Sequence, residues 1–205
     1  MDAKKTIRKY IARGAWVTIT GLVALAACVL GILLSVIGLD ENAIFASMGV
    51  LSFPVALIFL AIGLPSYLQA NKSLKQLEAK GLLEKAAAEM SSPSAQVIGK
   101  NKGMLTENFL FCKGTGIAVA YKDILWTYKH RLTRSLLFIP IQVIDSLMIS
   151  TADRNGVQAI NMGGKDKQDA LKGVILEIYK HNPKVMVGFS KENQKAYKEL
   201  RKQKV

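Results

Sequence analysis

The side chains that most often carry enzyme chemistry are sparse in this 205-residue chain, and their spacing assembles no reacting set. The two histidines, His130 and His181, form no ligand set with Cys, Asp or Glu, so no metal centre is expected. Gly114-Thr115-Gly116 opens like a dinucleotide fingerprint, but the third glycine is missing and the segment joins two β-prone runs, which makes it a turn. Gly163-Gly164-Lys165 precedes a helical pattern, where free N–H groups and a lysine suit an anion. It lacks the upstream glycine of a phosphate loop and reads as an ordinary loop. No serine nucleophile elbow occurs. Neither an enzyme nor a cofactor is expected.

What remains is electrostatic. Lys129, Arg131 and Arg134 lie on or at the end of one strand pattern, with Lys113 and Lys122 at the ends of its neighbours. These five are the candidate contacts to an anionic surface, each contributing about 1 kcal/mol near charged headgroups. The chain as a whole carries 28 Lys and Arg against 15 Asp and Glu. Such an excess suits lipid headgroups or nucleic acid, and the simpler alternative is a solvated basic face with no dedicated ligand.

The elements that would position these residues begin with two apolar segments. Residues 14 to 39 and 42 to 71 carry no charge. At 1.5 Å per residue they reach about 39 and about 45 Å as helices, against roughly 30 Å of hydrocarbon. Two transmembrane helices are expected, over 14–39 and 44–65, joined by an external loop at 40–43. Small residues such as Gly21 and Gly31 on the first, and Ser52 and Gly63 on the second, permit close packing. Pro54 and Pro65 read as a kink and a helix exit.

Lys4, Lys5, Arg8, Lys9 and Arg13 precede the first span, Asp40 and Glu41 lie between the spans, and Lys72, Lys75, Lys80 and Lys85 follow the second. Basic flanks stay in the cytoplasm, so both termini are expected there, in a multi-pass protein of the cell membrane. Because the chain is tethered to lipid, headgroups are a nearer partner than nucleic acid, which is not expected. Leu25-Ala26-Ala27-Cys28 offers a rival reading as a lipobox, opposed by the apolar run that continues to Leu39. Cys112 lies in the polar part, so no disulfide with Cys28 is expected.

Residues 1–13 form a basic cytoplasmic N-terminus, and 66–94 a helical neck and linker that ends in the turn-rich Ser91-Ser92-Pro93-Ser94. The period then changes to two. Runs at 95–100, 104–112 and 117–121 are separated by Asn101-Lys102-Gly103 and Gly114-Thr115-Gly116, and Ile124 to Arg134 is the clearest strand. Strands near 145–152 and 157–162 flank Asn155-Gly156, which favours a type I′ turn. A helix over about 166–182 stops at Pro183, and 191–205 is a basic C-terminal tail or short surface helix. The fold class is therefore α+β.

Met104-Leu105-Thr106-Glu107-Asn108, Tyr121-Lys122-Asp123-Ile124-Leu125-Trp126, the Asn155-Gly156 hairpin and the helix after it resemble bacterial proteins that join two membrane spans to a pleckstrin-homology-like domain. The resemblance implies a small antiparallel β-barrel with a C-terminal capping helix over 95–190, and no catalytic residue. The expected function is a non-enzymatic, membrane-anchored module that meets a protein or a lipid headgroup. The alternative is a small accessory subunit of a larger membrane transporter or enzyme complex.

Overall fold

A computed structural model describes residues 2–12, 15–36, 43–136, 139–163 and 168–204. Helix α1 (Ala3–Ile11) is capped by Asp2, whose carboxylate accepts the Lys5 N–H at 3.2 Å. Ala3, Ile7 and Ile11 recur every four residues and are all buried, so the basic N-terminus folds against the rest of the chain.

Helix α2 (Ala15–Val36) packs along α3 (Ala43–Ala79). A Cβ on Gly21 would lie 3.1 Å from the Leu60 backbone nitrogen, so glycine lets the two backbones meet there. Within the described residues one helix, Phe53–Ala79, is long and apolar enough to cross a membrane; Val17–Leu33 is a shorter apolar helix. The Asp40–Asn42 connector lies outside the described residues.

Pro65 is not a helix exit. α3 runs through both Pro54 and Pro65 to Ala79, so the apolar half and the neck are one helix. A proline inside a helix removes one backbone hydrogen bond. Here the helix beyond it is held by tertiary contact: Ala70, Leu74 and Leu77 are fully or almost fully buried. After α4 (Leu83–Met90) comes the expected turn at Ser91–Ser94.

Strands β1 (Gln96–Ile98), β2 (Gly103–Leu105), β3 (Phe109–Cys112) and β4 (Ile117–Ala120) form a four-stranded antiparallel meander. The run expected as one strand over 104–112 is a hairpin. Its Thr106–Asn108 turn is clamped by Glu89 of α4, which accepts from the Thr106 hydroxyl at 2.8 Å, the Asn108 N–H at 2.9 Å and the Asn108 amide at 2.7 Å. No local pattern announces a clamp 17 residues upstream.

β3 and β4 are buried on both faces. Leu110, Cys112, Ile117 and Val119 face the main core, while Phe109, Phe111, Ala118 and Ala120 meet Ile7, Ile11, Leu74, Leu77 and Ala86. Helices α1, α3 and α4 thus make a layer over the outer face of the first sheet.

A 3₁₀ turn (Tyr121–Asp123) leads to the second sheet, of order β7 (Val157–Gly163), β6 (Ile139–Ser150), β5 (Trp126–Leu136), β8 (Met186–Val187). The first three are antiparallel, and β8 joins β5 in parallel. The β6–β7 connection spans six residues, Thr151–Gly156, with a positive φ at Gly156 alone. A two-residue type I′ turn at Asn155-Gly156 therefore does not form. Helix α5 (Gln168–His181) closes the core with Leu171, Val174 and Ile178.

The C-terminal segment is not a solvated tail. Helix α6 (Lys191–Lys204) buries Tyr197 against Leu125, Trp126 and Tyr128 in a third cluster.

Candidate functional site

A cleft of about 340 Å³ opens where the apolar helices meet the sheet domain. Val17 of α2 and Ile62 and Ser66 of α3 form its apolar wall. Lys102 from the β1–β2 turn, Lys113, Gly114 and Thr115 from the β3–β4 turn, and Ile160 and Asn161 of β7 form the other. Among the described residues two lysines and no carboxylate line it.

Backbone geometry sets these groups in place. The Gly114 N–H donates to the Ile11 carbonyl at 2.9 Å, which ties the β3–β4 turn to the end of α1. Thr115 donates to the Ala159 carbonyl at 2.8 Å and so ties the same turn to β7. Lys102 donates to the Asn161 carbonyl at 2.7 Å, and the Lys113 ammonium stands 5.7 Å from the centre of the Tyr10 ring. Burial, with Cys112 behind it, pushes the Tyr10 hydroxyl up to about 12, so the phenol stays neutral beside the lysine. The Ser66 hydroxyl and the Asn161 amide oxygen are buried with no protein partner among the described residues. Buried polar atoms of this kind normally find a partner.

Of the five basic residues picked from the sequence, four have described side chains, and of these the structure brings only Lys113 to this cleft. Lys129 and Arg131 converge on Asp145 across the β5–β6 ladder, at 3.1 and 2.9 Å. Lys122 lies at the far end of the domain, in a depression of about 110 Å³ with Tyr121, Lys85 and Glu107. The Arg134 side chain lies outside the described residues. The five are therefore not one patch. Lys102, read only as part of a turn, is the cleft lysine that sequence reasoning missed; nothing in its local spacing separates it from other turn lysines.

Arg131 first, with Lys129 behind it and burial opposing, holds the Asp145 carboxyl below its ordinary value of 3.8. The contribution of this cluster to stability is complete above that value and drains away as pH falls through the lower folded-state value. An acid titration followed by circular dichroism is expected to show Asp145→Asn less stable than the parent at about pH 7, with the gap narrowing as the pH falls below the ordinary carboxylate value.

His130 is exposed on β5. His181 stacks on the Tyr121 ring at 4.9 Å and meets Glu177, one helical turn before it, at 2.9 Å. The two histidines belong to different elements and share no ligand set. Gly163 ends β7, and Gly164 and Lys165 lie outside the described residues. The Cys112 thiol is fully buried, and burial pushes its pKa well up, which suits a packing residue and not a nucleophile.

Above the cleft, α3 is sewn to the domain. Ser73 donates to the Gly116 carbonyl at 2.9 Å and accepts from Arg154 at 3.0 Å, and Gln76 donates to the Asp153 carboxylate at 2.8 Å. Burial lowers the Arg154 pKa while Asp153 opposes it. A second cleft of about 310 Å³ follows the same seam away from the apolar helices. It mixes Lys80 with Asp123 and Asp153, and Lys80 is already paired to Asp123 at 2.7 Å. Its charges therefore cancel.

Residues 68–197 match a family described as a domain of unknown function (DUF6709). The chain belongs to that family. The DUF6709 span begins on α3 after the apolar half and ends on Tyr197, so it takes in the neck, both sheets, α5 and the buried anchor of α6. It covers the residues of the three buried clusters except those of the α1 segment, Ile7, Ile11 and Ala12 among them. No curated protein and no solved structure matches the chain.

Proposed function

We propose that the protein is a non-enzymatic, membrane-anchored module that receives the headgroup of an anionic phospholipid in its juxtamembrane cleft. The observation that carries this reading is the composition of the cleft: two lysines and the buried Asn161 amide oxygen on one wall, and on the other the apolar helices with the single buried Ser66 hydroxyl. A phospholipid has the same division, with phosphate oxygens beside acyl chains.

In this reading α2 and the apolar half of α3 are two spans of one hairpin. Lys4, Lys5, Arg8 and Lys9 on α1, and Lys72 and Lys75 on the neck, keep both ends of it in the cytoplasm. The domain is pleckstrin-homology-like. A four-stranded meander followed by three antiparallel strands and a capping helix supports that assignment.

Thermal unfolding of the full chain in detergent tests the reading. Added phosphatidylglycerol is expected to raise the melting temperature more than phosphatidylcholine does. At about 1 kcal/mol per lysine, Lys113→Gln should weaken the preference about fivefold and Lys102→Gln/Lys113→Gln about thirtyfold. Equal response to both lipids would refute it. A stoichiometric membrane protein retained on purification would then favour the accessory-subunit role.

A further inference from the structure

The second sheet contains a hairpin longer than its neighbours require. β5 and β6 pair from Trp126 opposite Ser150 out to Leu136 opposite Ile139, with one register shift between Arg134 and Ser135. Among the described residues β7 covers β6 from Ile144 to Ile149, and β8 covers β5 at Trp126 and Thr127. Past Leu132 and Ile144 the hairpin is a two-stranded arm.

The contacts of β7 fix the direction in which this arm points. Asp153 and Arg154, just before β7, meet Gln76 and Ser73 on the neck of α3. Ile160 and Asn161, farther along β7, share the cleft with Ile62 and Ser66. β7 therefore runs toward the apolar half of α3, and β5, two antiparallel steps away, runs the same way. The arm extends beyond the cleft by about 15 Å at the usual rise per strand residue.

Its chemistry changes along its length. At the root Asp145 pairs with both Lys129 and Arg131, and Leu132 and Val143 are exposed at 42% and 44%. From Leu136 to Ile141 the sequence is wholly apolar, with Leu137 and Phe138 outside the described residues. In water a lone two-stranded ribbon with exposed apolar residues is marginal and prone to associate.

The geometry points to the β5–β6 arm as a second membrane contact, one that lays its apolar end in the interface of the same leaflet that the apolar helices enter. This rests on the reading of those helices as membrane spans. Insertion is shallow, because the outer edges of a two-stranded arm carry unpaired N–H and C=O groups that the hydrocarbon centre does not tolerate. The domain is thereby held to the bilayer at the neck and at the arm, with the cleft between the two.

The test uses the full chain with Cys28→Ala and Cys112→Ala, reconstituted in vesicles of phosphatidylcholine and phosphatidylglycerol. A polarity-sensitive fluorophore is placed at Leu136→Cys or Ile139→Cys on the arm, Ile58→Cys on α3, or Asn155→Cys at the far turn. Lipids bearing a nitroxide near the headgroup are expected to quench most of the arm emission, deep nitroxides to quench Ile58→Cys, and neither to quench Asn155→Cys. If Ile58→Cys is quenched while the arm behaves like Asn155→Cys, the arm proposal is overturned and the spans stand. If Ile58→Cys also escapes, the membrane reading fails and takes the proposal with it. Arm shielding that appears only at high protein-to-lipid ratio identifies a second copy as the occupant and overturns it as well.

Discussion

Gly116→Ala is expected to cost about 3 kcal/mol or more and to detach the neck of α3 from the sheet domain. Gly116 has a φ of +74°, and a Cβ there would lie 2.2 Å from the Ser66 carbonyl oxygen and 2.6 Å from the Ala70 nitrogen. Both are backbone atoms of a helix, so no rotamer change relieves the clash. The Gly116 carbonyl also accepts from Ser73, which in turn accepts from the buried Arg154. Separating the surfaces would leave a guanidinium with one fewer partner in a site beside a cavity of only about 10 Å³. Gly81→Ala provides the control: its φ is +65° with nothing within 4 Å, so it should pay only the left-handed penalty of about 1–2 kcal/mol. Thermal unfolding in detergent compares the two, and limited proteolysis after residue 79 reports the detachment. Equal losses would mean that Gly116 is needed for its conformation and not for the approach of α3.

The apolar runs, the Ser91–Ser94 break and most strands are legible because each follows from a period or a breaker within a dozen residues. What was hidden depends on partners far along the chain. β3 and β4 read FLFC and IAVA, and the missing alternation is itself the sign of a strand covered on both faces. It does not say by what, and the cover comes from α1, α3 and α4. The continuation of α3 through Pro65 is a tertiary effect that overrides a local breaker. Among the candidate contacts, Lys129 and Arg131 look available until the β5–β6 register sets Arg131 opposite Asp145. Lys102 and Lys113, 11 positions apart, become neighbours through the meander, where the Lys113 N–H donates to the Lys102 carbonyl at 2.9 Å.

Tyr197→Ala should cost about 3–5 kcal/mol, the range for removing a large ring from a packed site, although α6 is otherwise a highly charged helix. Tyr197 is 1% exposed and packs 5.7 Å from the Trp126 ring. Its hydroxyl donates to the Thr151 carbonyl at 2.8 Å and lies 3.2 Å from that of Arg154. Arg201 adds a bond from the same helix to the Ala152 carbonyl at 3.1 Å. The Thr151–Gly156 loop is thus gripped by α6 on one side and, through Asp153 and Arg154, by α3 on the other. Tyr197→Phe keeps the ring and should cost only about 1 kcal/mol for the lost donor. If the loop transmits strain between its two grips, Tyr197→Phe combined with Ser73→Ala should depart from additivity by more than about 0.5 kcal/mol. Hydrogen exchange gives the complementary reading: Tyr197→Ala should release the amides of α6 and also those of Thr151–Gly156. Release of α6 alone would show that the helix is an independent attachment, and that the loop draws its order from α3.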